Sequence, residues 1–188
     1  MCIICIHQDD IQPIINIKNL HCFECKQIKS IPKEMIDLEV LFCNNTNIKI
    51  IPSTLVLLKI LNINKCNIKS IPSTLNNIEI LYCNDTLIES IPDSFNKLEE
   101  LHCERTSIKY LNNNYIRIIN VIDCKNLLAI NTKYKRIYGL RTCNSVIDLK
   151  KIKEKNSKIN EAIIKEMYNP KRIEKFLLKN KDIENIYN

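Results

Sequence analysis

Leu41-Phe-Cys43-Asn-Asn-Thr46-Asn-Ile48-Lys-Ile-Ile51-Pro52, Leu61-Asn-Ile63-Asn-Lys-Cys66-Asn-Ile68-Lys-Ser-Ile71-Pro72 and Leu81-Tyr-Cys83-Asn-Asp-Thr86-Leu-Ile88-Glu-Ser-Ile91-Pro92 are one pattern written three times. Apolar residues return to the same relative places and Pro closes each copy, with a period of about 20 residues typical of stacked repeats. Leu101-His-Cys103-Glu-Arg-Thr106-Ser-Ile108-Lys-Tyr-Leu111 continues it. Leu20-His-Cys22-Phe-Glu-Cys25-Lys-Gln-Ile28-Lys-Ser-Ile31-Pro32 anticipates it, with one residue inserted before Ile28. The chain reads as a solenoid.

Within each copy the first residues alternate apolar and polar, the period of a strand with one buried face. The Ile-Pro-Ser-Thr-Leu that follows (Ile51–Leu55, Ile71–Leu75) is a return segment, because Pro lacks a backbone donor and cannot sit in a central strand. A coil of about 20 residues has no room for a full return helix, so an extended or 3₁₀ return is expected. One coil buries too little to offset its own ordering, and stability must come from neighbours that complete each other's core.

Composition narrows the function classes. With one Gly in 188 residues, the Gly-rich phosphate loops of dinucleotide and P-loop proteins are missing. The 45% hydrophobic content is that of a folded chain. A net charge of +7, concentrated in the C-terminal third, serves solubility or an acidic partner. No stretch approaches the roughly 18 apolar residues of a membrane span, so no membrane partner is expected. Met1–Ile6 is too short for a signal peptide, which makes the ten cysteines reduced thiols of an intracellular, cytoplasmic protein. The heavy use of Ile, Asn and Lys is that of an AT-rich genome, such as a giant virus or a protist.

The run Leu-x-x-Leu-x-Cys-x-x-Thr-x-Ile-x-x-Ile-Pro resembles the leucine-rich-repeat family, in its short bacterial-effector-type form. It is carried by Leu38, Leu41, Cys43, Thr46, Ile48, Ile51 and Pro52 and by the matching residues of the next two coils, over about residues 20–120. The resemblance implies an α/β leucine-rich-repeat solenoid, a horseshoe with a concave parallel β-sheet, and a protein partner bound on that sheet. Two departures stand out. The family's turn-capping Asn is here Thr46, Thr86, Thr106, Cys25 or Cys66, and Cys replaces Leu on the strand. A Thr hydroxyl can bond local backbone as Asn does, whereas a thiol does so weakly.

On that geometry the outward strand residues form columns across the concave face. They are Val40, Ile60, Ile80 and Glu100; His21, Phe42, Asn62, Tyr82, His102, Asp123 and Arg141; and Phe23, Asn44, Asn64, Asn84, Glu104 and Lys125. An apolar patch of Val40, Phe42, Ile60, Ile80 and Tyr82, rimmed by Asn62, Asn84, Glu100, His102 and Glu104, is the candidate binding site. Catalytic residues are not expected: His102 with Glu100 and Glu104 stands on an open sheet, and Cys103 faces the other way from His102. His21 and His102, four coils or about 19 Å apart at strand spacing, cannot share a metal.

Cys2-x-x-Cys5 and Cys22-x-x-Cys25 have the spacing of a two-knuckle zinc site. The repeat explains them more cheaply, since Cys22 and Cys25 fall on the places of Cys43 and Thr46, and small thiols suit a tight interior. No metal and no cofactor are expected; a zinc-stabilised adaptor held by Cys2, Cys5, Cys22 and Cys25 is the alternative. The organisation is a degenerate first coil over 1–19, clear coils over 20–120 and irregular coils over 121–148, where Tyr134, Ile137 and Tyr138 read as a return. A helical C-terminal cap over 149–188 follows, starting at Ser157 and broken at Pro170. The Lys-rich outer side of those helices, Lys150–Lys181, is the alternative site for nucleic acid, although it lacks an aromatic–basic platform. A monomer is expected.

Overall fold

The computed structural model describes residues 2–7, 11–113, 115–130, 135–143 and 146–148. The chain divides into two units, Met1–Ile147 and Asp148–Asn188. The expected C-terminal helices lie outside the described residues, as does Tyr134.

Seven short strands, each contributing the first residues of one coil, form a single parallel sheet. They are β1 (Asn19–His21), β2 (Val40–Phe42), β3 (Ile60–Asn62), β4 (Ile80–Tyr82), β5 (Glu100–His102), β7 (Ile118–Asn120) and β9 (Arg136–Tyr138), paired in that order. Register is strict: Leu20, Leu41, Leu61, Leu81, Leu101, Ile119 and Ile137 stand in line. From Leu20 to Ile119 that column is buried, and one side of every strand faces a core continuous from Ile4 to Ile130. The backbone ladder runs on past the strands, as in Cys43 N–H to Asn62 O (2.9 Å) and Ile63 N–H to Tyr82 O (2.9 Å).

Each coil then turns a corner that the residue types did not announce. Glu24, Asn45, Lys65, Asp85, Arg105 and Asp123, four places after the central strand residue, all take left-handed backbone with φ between 51° and 59°. For a non-glycine residue this costs on the order of 1 kcal/mol. The geometry is retained because the corner N–H bonds the next coil, as Lys65 N–H does to Asn84 O (2.9 Å). The following side chain then points inward. Thr46, Thr86 and Thr106 donate their hydroxyls to Cys43, Cys83 and Cys103 carbonyls at 2.7–2.8 Å, satisfying the buried oxygen in the role expected of them. The thiols of Cys66 and Cys124 reach the preceding coil, bonding the Cys43 and Cys103 carbonyls at 3.1 and 2.9 Å.

The returns of the middle coils are two consecutive hydrogen-bonded turns, Pro52–Leu55 then Leu55–Leu58, and likewise Pro72–Leu75 then Leu75–Ile78. Neighbouring returns are tied by side chains: Thr54 to Lys33 O, Thr74 to Ser53 O and Ser94 to Ser73 O, at 2.6–2.7 Å.

Two expectations are corrected. After Leu101 the coils shorten from 20 residues to 18, so β7 is centred on Ile119, not on Ile122, and Ile137 and Tyr138 lie on a strand rather than a return. Leu140–Thr142 is a 3₁₀ turn. These coils are regular in their own way: without Pro their returns extend as β6 (Tyr110–Leu111), β8 (Ala129–Ile130) and β10 (Ile147–Asp148), which build a second, three-stranded sheet. The second correction is at the start. Where a degenerate coil is expected, Ile3–Ile6 is one α-helical turn (α1) and Gln12–Ile14 one 3₁₀ turn, with Pro13 at its start.

Candidate functional site

The outer side of the seven-stranded sheet presents the columns that the alternation predicts. Val40, Ile60, Ile80, Glu100, Ile118 and Arg136 form the first, and His21, Phe42, Asn62, Tyr82, His102, Asn120 and Tyr138 the second. Asn120 and Tyr138 therefore take the places assigned to Asp123 and Arg141, a consequence of the shortened coils.

The second column is a stack of rings. His21 lies on Phe42 with centroids 5.0 Å apart, and Tyr82 on His102 at 4.8 Å, both nearly parallel. Asn62 separates the two pairs. Parallel strands hold such rings at their own spacing of about 4.8 Å, close to a stacking distance, so the ladder orders them without further support. The consequence is that Phe42 and Tyr82 are half-buried, as are Val40, Ile60 and Ile80. The freely exposed aromatics of this column's neighbourhood stand at its ends, Phe23 at 56% and Tyr138 at 46%. Neither belonged to the candidate binding patch read from the sequence: the alternation placed Phe23 in the third outward column, whereas Tyr138 read as a return and needed the correct coil length.

The polar residues of the candidate site are partly committed to the structure. Asn62 Oδ1 accepts from Asn64 N–H (3.1 Å), Asn64 Oδ1 from Asn84 N–H (2.7 Å) and Asn84 Oδ1 from Glu104 N–H (2.8 Å). This amide ladder satisfies backbone donors that the strand ladder leaves over. Glu100 Oε1 and His102 Nε2 are 2.6 Å apart. Glu104 takes a bond from Asn120 Nδ2 (2.7 Å) and one from Arg105, which is also paired with Asp85 at 2.6 and 2.9 Å. The Arg105 guanidinium holds the Asp85 carboxyl below its usual range. Burial, with the Glu100 charge beside it, raises the Tyr82 phenol. Glu39, bridging Lys59 (2.6 Å) and Lys18 (2.9 Å), is pulled down to about 2 by those two ammonium groups.

For catalysis the arrangement offers little. His102 and Glu100 stand half-exposed on an open sheet, and Cys103 is fully buried on the opposite side. Among the described residues no helix is long and apolar enough to cross a membrane.

No family model matches the chain. No curated protein matches it either. Among solved structures it is similar to a leucine-rich-repeat protein of Leptospira interrogans, at 17% identity and a TM-score of 0.44, over 72% of this chain. The chain spans 43% of that protein's length. Coil register and the inward Leu and Ile columns establish the architecture without it. The fold is a parallel-stranded solenoid of stacked coils, as the leucine-rich-repeat resemblance implied.

Three sulfurs converge away from this face. Cys2 Sγ is 3.5 Å from Cys5 Sγ, and Cys5 Sγ is 3.5 Å from Cys25 Sγ, all three lying within 4.8 Å of one another. Cys22, the fourth member of the two-knuckle reading, is buried in the core column outside this group. Hydrogen bonds from the Cys2 and Ile28 backbone help lower the Cys25 thiol to about 6, while burial and its sulfur neighbours push Cys5 up to about 12.

Proposed function

We propose that this solenoid is a non-enzymatic scaffold that binds a protein partner on the outer, family-concave face of its seven-stranded sheet. The observation that supports it is the combination of two stacked ring pairs with an apolar column of Val40, Ile60 and Ile80 on a face that no other described element covers. Rings already ordered by stacking lose little freedom on binding and bring large contact area, the properties of residues that dominate interfaces. Glu100, His102 and Glu104 form a polar rim at one end, with Phe23 and Tyr138 at opposite ends of the array to widen the contact.

The test is capture of a partner by the intact chain, compared with the Phe42→Ala/Tyr82→Ala double variant and with Ile50→Ser, a 75% exposed residue on another flank. The double variant should weaken binding by about 2–4 kcal/mol if both rings are hot spots. Ile50→Ser should leave it unchanged. Because each ring is stacked on a histidine, the double variant also loses about 1–3 kcal/mol of stability, so affinity is read well below its melting temperature. Equal affinity for the double variant and the parent chain would place the partner elsewhere.

A further inference from the structure

The place after the left-handed corner is held by Cys25, Thr46, Cys66, Thr86, Thr106 and Cys124. At the five inner coils its hydroxyl or thiol bonds a main-chain carbonyl, the threonines in their own coil and Cys66 and Cys124 in the preceding one. At the first coil the preceding neighbour is α1, and there Cys25 meets sulfur. The helical turn sets Cys2, its N-cap, and Cys5 three residues apart on one side. The corner at Glu24 (φ 59°) turns Cys25 toward them.

We propose that Cys2, Cys5 and Cys25 form a trithiolate site for one thiophilic d¹⁰ cation, Zn²⁺ or Cu(I). The donor set is all sulfur, with no carboxylate or imidazole in the group, which selects soft or borderline metals over Mg²⁺ or Ca²⁺. Metal–sulfur bonds of about 2.3 Å in tetrahedral geometry place the sulfurs about 3.8 Å apart. The two 3.5 Å separations present need open by only a few tenths of an ångström. Cys2 and Cys25 are half-buried, which leaves an entry path from solvent.

In the complex all three sulfurs are thiolates, any thiol proton still present leaves to solvent and three metal–sulfur bonds form, so Zn²⁺ yields a complex of net charge −1 that takes one water or small external ligand in its fourth position. Cu(I) fits the same three sulfurs in a plane. Either ion pins the N-terminal helical turn onto the first coil. The repeat explanation then holds for Cys22 but not for the other three.

The experiment titrates the reduced, chelator-stripped full chain with Zn²⁺ and, anaerobically, with Cu(I). One ion per chain is expected, and the tighter of the two names the metal. Cys25→Thr installs the residue the repeat itself uses and so removes the sulfur while keeping the coil. It should bind more than about 100-fold more weakly, beyond the 10–100-fold range of outer-shell changes, with an unaltered far-ultraviolet circular dichroism spectrum. Cys66→Thr, at the same place two coils on, should bind as the parent does. Loading the parent with Co²⁺ should give an intense near-ultraviolet sulfur-to-cobalt band that Cys2→Ser diminishes. Failure of both ions to bind, retention of binding in Cys25→Thr, or an equal loss in Cys66→Thr would overturn the site.

Discussion

The middle coils and the C-terminal coils close the same loop by different means. Between Leu41 and Leu101 each coil spends 20 residues, passes through Pro and returns by two tight turns, with hydroxyls of Thr54, Thr74 and Ser94 bridging to the coil before. Beyond Leu101 each coil spends 18 residues, lacks Pro, and returns through β6 and β8, whose main chains pair directly. Pro explains the difference. It withholds the donor a ladder needs and sets φ for a turn, so a Pro return is tied by side chains; in the first shortened coil Asn112 stands at the place of Pro92, directly after β6. A solenoid can therefore keep one strict sheet while its opposite side changes from turns to strand.

Gly139→Ala breaks the C-terminal arrangement most severely. Gly139 has φ 78°, and a Cβ there would meet Ile122 Cγ1 at 2.3 Å and the Ile122 backbone at 2.5 Å. A loss of about 2–4 kcal/mol is expected in urea unfolding, from overpacking and left-handed strain together. Hydrogen exchange locates it: the Val121 amide, bonded to Tyr138 O, should lose protection while the Ile63 amide, bonded to Tyr82 O, keeps it. Equal loss at both amides would mean that the two halves unfold as one unit.

Thr74→Val tests the middle returns. It removes one exposed side-chain bridge to Ser53 O (2.7 Å) and should cost about 0.5–1.5 kcal/mol by the same measurement. No change would show that the turns stand without their bridges.

The smallest effect is electrostatic and sits on the sheet flank. Glu39 titrates at about 2 in the folded chain, below its unfolded value of about 4.3. A depressed folded pKa adds stability above the unfolded value, and that contribution disappears as pH falls from about 4 through 2. The pair is exposed, so the change is slight; Glu39→Gln should flatten that part of the stability–pH profile relative to the parent chain.

The repeat itself was legible because one residue type recurs at one place: Leu41, Leu61, Leu81 and Leu101 face a core whose register leaves no alternative, since a one-residue slip would expose the whole row. The outward columns followed from the same alternation as far as His102. Past it, Ile116, Ile118, Ile119, Val121 and Ile122 give an apolar run in which Ile119 and Ile122 both fit the pattern, and only packing of Ile119 against Leu101 selects between them. Stacking also altered the candidate site, because residues read as outward and exposed are half-covered by the coil beside them.

What the sequence by itself determined is the period, the inward columns and the parallel order of the coils, all consequences of where apolar residues recur along the chain. The tertiary structure decided the left-handed corners, the shortened coils and the meeting of Cys2, Cys5 and Cys25. Backbone conformation at Glu24, Lys65 or Arg105 is imposed by bonds to the next coil against local preference. Proximity of Cys25 to Cys5, 20 residues away, arises only when the coils are stacked.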